Sequence, residues 1–197
     1  MGQTVQPQMN FGLILLGINN MIKTNSLGFT FIELILYLGI VTIVLMAIVP
    51  FGITVIASGA KSSTQQEVYD QSRLVSEKLL QQIRGSNGIN TGSSNFDVNI
   101  ASSAGQLSLS QADSTANPTI IDVSGGKIRI KRGAGVATTL NSTNTTVSSL
   151  VFTNYSSSDG KSKNVGFVMT IIANYNSAGQ QYQESVTVRS DGELRSN

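Results

Sequence analysis

Phe29 to Ala57 reads FTFIELILYLGIVTIVLMAIVPFGITVIA, and Glu33 is the one charged residue in it. The part from Leu34 to Ala57, at a rise of about 1.5 Å per residue, is long enough to cross a hydrocarbon core of about 30 Å. It predicts a transmembrane helix over 29–57. Lys23 precedes the span and Lys61 follows it, so the positive-inside bias is slight; with so short a leader it places the N-terminus in the cytoplasm and the rest outside.

Working outward toward the C-terminus, the next stretch is KSSTQQEVYDQSRLVSEKLLQQIRG. Its apolar residues Val68, Val75, Leu79 and Ile83 are spaced by seven, four and four, the stripe of an amphipathic helix. The spacing predicts that the helix continues over 58–84, and Gly85 followed by SNGIN supplies its stop. The stripe reads as the seat of the helix on its own sheet rather than as a surface for a partner helix.

Working toward the N-terminus, residues 1–28 read as a leader. Residues 1–20 contain no Lys or Arg and only a short apolar run, Phe11 to Ile18, which fits a secretory signal poorly. Met21 to Gly28, MIKTNSLG, looks like a complete short leader by itself, so translation is expected to start at Met21.

Beyond Gly85 the period becomes that of strands. NFDVNI, QLSLS, TIIDV, KIRIKR, VSSLVFTN, NVGFVMTIIANY and QYQESVTVRS alternate or run apolar, separated by Ser, Gly, Asn and Asp clusters. They predict a mainly antiparallel β-sheet head over 85–197. TIIDV-SGG-KIRIKR is the best hairpin, because Gly125 and Gly126 can take positive φ. Gly85 to Ser94 reads as a linker or surface loop. The fold class is therefore α+β, a long N-terminal helix followed by an antiparallel head.

Composition removes much chemistry. There is no Cys and no His, which excludes thiol nucleophiles, disulfides, Cys/His zinc sites and imidazole bases. Charged residues are 12% of the chain and the net charge is +2, so the high isoelectric point says little about nucleic acid. No cofactor, no metal and no enzymatic activity are expected.

Glu33 carries the sharpest signal, since an ionised carboxylate in a membrane helix costs about 2.5–3.5 kcal/mol on insertion scales. Either it pairs with a cation, such as an amine freed by cleavage between Gly28 and Phe29, or it lies at the interface and snorkels without a partner. With these residues on the page, Leu27 to Ile35, LGFTFIELI, resembles the class III signal of type IV prepilins and type II secretion pseudopilins. The likeness is a Gly before the scissile bond, an aromatic residue after it, and Glu as the fifth residue of the processed chain. Pro50 matches a proline common in the helices of such pilins, where a missing backbone donor kinks or loosens the helix.

The resemblance implies a pilin-like fold and several roles. A prepilin peptidase would recognise Gly28, cut before Phe29 and N-methylate Phe29, and Glu33 would contact the amine of an adjacent subunit during assembly. Other pilin or pseudopilin subunits, an inner-membrane assembly platform and membrane lipid would be its partners. The protein would first sit in the inner membrane with its head outside, then join a cell-surface or periplasmic filament. KIRIKRG and the strands after it resemble, diffusely, J-type minor pseudopilins and W-type minor pilins, which implies a minor or initiating subunit. Glu33 argues against the tip-capping subunit of type II secretion, and the absence of Cys departs from the disulfide-defined loop of many pilins. The reading from another class is a signal-anchored extracytoplasmic β-domain, adhesive or DNA-binding, that does not polymerise.

Weaker motifs have plain explanations. Lys127, Arg129 and Lys131 alternate on one strand face with Arg132 beside them, a possible basic surface. No aromatic is interleaved among them, so a nucleic-acid partner is not expected. Ser158 to Lys161 matches S-x-x-K but reads as a turn. Asp191 and Glu193 are too few for calcium. Asn141, Asn144 and Asn154 begin sequon matches that arise by chance in so Asn/Ser/Thr-rich a head.

Overall fold

A computed structural model describes residues 28–175 and 179–195. The leader reading over 1–27 and the expected start at Met21 lie outside the described residues. The chain forms two compact units, one ending at Val49 and one beginning at Pro50.

The architecture is α+β, one long N-terminal apolar helix followed by antiparallel sheets. Helix α1 spans Phe31–Arg84. Thr30 starts it: its hydroxyl accepts the Glu33 amide at 3.3 Å and its carbonyl accepts the Leu34 amide at 3.1 Å. Gly85 ends it, with its amide on the Gln81 carbonyl at 3.0 Å. Pro50 lies inside the helix, so the Met46 carbonyl has no backbone donor four residues on. In the apolar half, hydroxyls return to the preceding turn, Thr42 to Leu38 O at 2.6 Å and Thr54 to Pro50 O at 2.9 Å. Such bonds give these two hydroxyls partners within the helix.

The β-rich part holds two sheets rather than the single sheet expected. The first has strands β1 (Gly88–Ile89), β2 (Gln106–Ser110), β3 (Thr119–Ser124), β4 (Lys127–Arg132) and β5 (Thr138–Thr139), in that order. The second is β6 (Thr145–Asn154), β7 (Asn164–Ala173) and β8 (Ser185–Glu193). All pairings are antiparallel. The β3–β4 hairpin turns on Gly125 (φ 58°) and Gly126 (φ 72°), the two positive φ values of a tight hairpin turn.

Both sheets contribute to one core. Val68, Val75, Leu79 and Ile83 of α1 join Leu107, Leu109, Ile121, Ile128 and Ile130 of the first sheet. From the second come Leu150, Phe152, Val165, Phe167, Met169 and Ile171, with the Phe152 and Phe167 rings meeting edge to face at 6.3 Å. In β6 the buried positions change parity, Val147 and then Leu150 and Phe152, because a register shift between Val147 and Ser149 turns the strand by one residue.

Three local readings are corrected. NFDVNI is not a strand: Asp97 takes φ 58°, outside the β region, and the segment meets β6 through the single bridge of Asn99 to Val151 and bonds that include Asp97 N to Phe152 O and Ile100 N to Leu150 O. Gly85 to Ser94 is no loose linker, since Ser86 is fully buried and β1 joins the first sheet through Ser110 and Leu109. QYQES begins not as strand but as a short 3-10 turn, Gln180–Tyr182, before β8.

Candidate functional site

The residues singled out at the start of the apolar segment lie together in the first unit. Phe29 and Phe31 are exposed, and no side chain in the most apolar window of α1 is buried. The helix is long and apolar enough to span a membrane. Glu33 sits in its first turn, where the positive end of the helix dipole favours a carboxylate. Its Oε1 lies 3.5 Å from the Tyr37 hydroxyl, one turn on. The Tyr37 ring also meets the Phe29 ring edge to face at 5.7 Å. Tyr37 therefore touches both Phe29 and Glu33. Among the described residues Glu33 has no ion pair.

Gly28 is informative for what it does not do. A Cβ added there would meet nothing within 4 Å among the described residues. Among those residues nothing crowds a side chain at this position.

Sequence reasoning missed Thr30 and Tyr37. The signal for the first was T-x-x-E at Thr30 to Glu33, the spacing of a capping box, of which the hydroxyl-to-amide half is formed. The signal for the second was its position four residues after Glu33, on the same helix face.

The basic residues of β4 do not make one open cationic face. Lys127 Nζ donates to the carbonyls of Ser142, Thr143 and Thr145. Burial pushes its pKa below the usual lysine value. Arg129 holds Asp122 through two bonds, Nε at 2.8 Å and Nη2 at 2.6 Å, and that hydrogen-bonded charge raises the guanidinium pKa further. Arg132 Nε reaches Gln82 Oε1 at 3.2 Å, across to α1. Lys131 is exposed.

Of the remaining motifs, Asn141, Asn144 and Ser158 to Lys161 lie in loops, Asn154 ends β6, and Asp191 and Glu193 lie in β8. Asn141 is buried: its Oδ1 accepts the Ile128 amide at 2.9 Å and its Nδ2 donates to Thr145 O at 2.9 Å. Asn144 and Asn154 are exposed. Ser158 to Lys161 forms a turn closed by Gly160 N on Ser157 O at 3.1 Å. No group of three or more Asp or Glu that could hold a metal occurs among the described residues. Comparison with protein-family models, with curated proteins and with solved structures gives no match.

Proposed function

We propose that this chain is a structural subunit of a type IV pilus or pseudopilus, processed by a prepilin peptidase and assembled through its apolar helix, as a minor or initiating subunit. The observation that carries the reading is the start of α1. Among the described residues, a glycine with open space at its Cβ position precedes an exposed aromatic residue, and a carboxylate without an ion pair stands in the first turn of a membrane-length helix. Each is accounted for by something outside the chain: a peptidase that needs a small residue at Gly28, and a neighbouring amine that needs an acid at Glu33. The apolar helices pack side by side in the filament and the β-rich head faces outward. Inner-membrane insertion precedes assembly. The engagement of Lys127, Arg129 and Arg132 within the fold weighs against a DNA-binding head.

Intact mass and N-terminal sequencing of the protein from its native envelope test this. The expected chain begins at N-methylated Phe29. A chain that retains Met21 to Gly28 in cells with active prepilin peptidase overturns the reading and leaves a signal-anchored, non-polymerising β-domain.

A further inference from the structure

β8 is an open edge nine residues long. At the opposite edge of its sheet, β6 is covered by the bonds of Asp97 N to Phe152 O and Ile100 N to Leu150 O. β8 pairs only with β7 among the described residues, and it carries no Pro and no register shift. Long bare edges are templates for another strand, which natural folds usually block.

The register shows which groups are open. Ala173 N donates to Glu184 O at 2.9 Å and Leu194 N to Lys163 O at 2.8 Å, so the even-numbered residues of β8 exchange bonds with β7. Thr187, Arg189, Asp191 and Glu193 therefore turn their N–H and C=O groups outward. Their side chains are exposed or half-exposed, while Val186 and Gly192 are buried. Beside the strand lies a groove of about 690 Å³, lined by Tyr69, Arg73, Glu77 and Leu80 of α1 and by Val186 to Arg189.

We propose that β8 pairs antiparallel with β8 of a second copy, about a two-fold axis through Ser190. In that register Arg189 faces Asp191 of the other copy and Asp191 faces its Arg189, while Thr187 and Glu193 face each other. Every one of these residues belongs to the outward-pointing set, so each pair exchanges two backbone hydrogen bonds. Of the neighbouring two-fold registers, centring on Asp191 pairs Arg189 with Glu193 but sets Asp191 against itself. Centring on Arg189 sets that residue against itself, and centring on Val188 sets it against Thr187. Charge complementarity thus selects both the occupant and the register.

The pairing has a direction. Gln65 Nε2 bonds Glu184 Oε2 at 3.2 Å, and a Cβ on Gly192 would lie 3.1 Å from Ile83, so α1 over 65–83 runs parallel to β8. Antiparallel β8 strands then carry antiparallel α1 segments over 65–83. The pairing rests on the head alone and stands whether or not the chain is a pilin.

The chain has no Cys, so one introduced thiol reports cleanly. Two preparations of the full-length protein in detergent, each with a different tag, would be mixed. Under oxidation, Ser190→Cys is expected to give disulfide dimers bearing both tags, whereas Ser185→Cys gives none. Adding Arg189→Asp to Ser190→Cys should lower the dimer yield about tenfold, as like charges then face each other. Adding Asp191→Arg as well should restore it. Absence of mixed-tag dimers at Ser190, equal yield at Ser185, or failure of the double reversal to restore pairing overturns the proposal.

Discussion

Glu33 and Asn141 are polar residues in unlike settings, and the difference sets what each substitution does. Asn141 is buried and joins two segments, the amide of Ile128 and the carbonyl of Thr145. Asn141→Ala leaves the Ile128 amide without a partner in a dry site, while the Thr145 carbonyl keeps the Lys127 ammonium, so the head should lose about 1–3 kcal/mol, read from the urea midpoint at unchanged slope. Glu33 has no such structural duty, its contacts being the first helical turn and the Tyr37 hydroxyl at 3.5 Å. If it pairs with a neighbour's amine, Glu33→Gln should leave head stability and cleavage after Gly28 intact while removing the subunit from sheared filaments. Quantitative immunoblotting of membrane and filament fractions checks this, and undiminished incorporation would detach Glu33 from assembly.

At the scale of elements, α1 combines a lipid-length apolar half with a half that seats the sheets, and Pro50 begins the second unit. Pro50→Ala returns a donor to the Met46 carbonyl and removes a helix-interior penalty of about 3 kcal/mol. Amide exchange over residues 46–54 in vesicles should slow; unchanged exchange would mean that the proline imposes no local loosening. The helix was legible because one apolar run and one stripe at helical spacing meet without a break, with Gly85 as the stop. β2, β3 and β4 were legible because their alternation is strict and two glycines mark the turn. NFDVNI alternates equally well, yet the positive φ at Asp97, whose carboxylate accepts the Thr153 hydroxyl at 2.8 Å, takes the backbone out of the strand. Tertiary contact decides there, and period cannot see it. β1 and β5 have two residues each, too short for any periodicity. The division into two sheets depends on which strands pair across the core, information that no single strand carries. Of the candidate site, Gly28, Phe29 and Glu33 were legible as a linear pattern. Tyr37 was not, because its role depends on a helix that brings its ring to Phe29 and its hydroxyl toward Glu33.

For the whole molecule, the missing histidine shapes the response to pH. No side chain with an ordinary pKa between about 5 and 8 is present, so head stability should be nearly flat across that range. The acid side is set by Asp113 and Asp159. The Thr115 hydroxyl and amide hold the first carboxyl below its usual range, and the Ser157 hydroxyl with the Lys161 amide does the same for the second. A carboxyl depressed in the folded state contributes stability that is present above its unfolded pKa, about 3.9, and is lost as pH falls through the folded value. The alkaline side involves Tyr175, whose bond to the Glu67 carboxylate raises its pKa above 10.0. A raised pKa gives stability that is complete below the unfolded value and disappears as pH rises through the folded one. Lys127 opposes it, since a lysine depressed by burial costs stability while charged and the cost fades as pH rises. Urea unfolding of the full chain from pH 2 to 11 should therefore show a plateau with an acid fall that Asp113→Asn with Asp159→Asn makes shallower. Tyr175→Phe should make the alkaline slope more positive, because it removes a term that falls with pH. An unchanged slope would mean that the Tyr175–Glu67 bond does not hold α1 to the residues after β7.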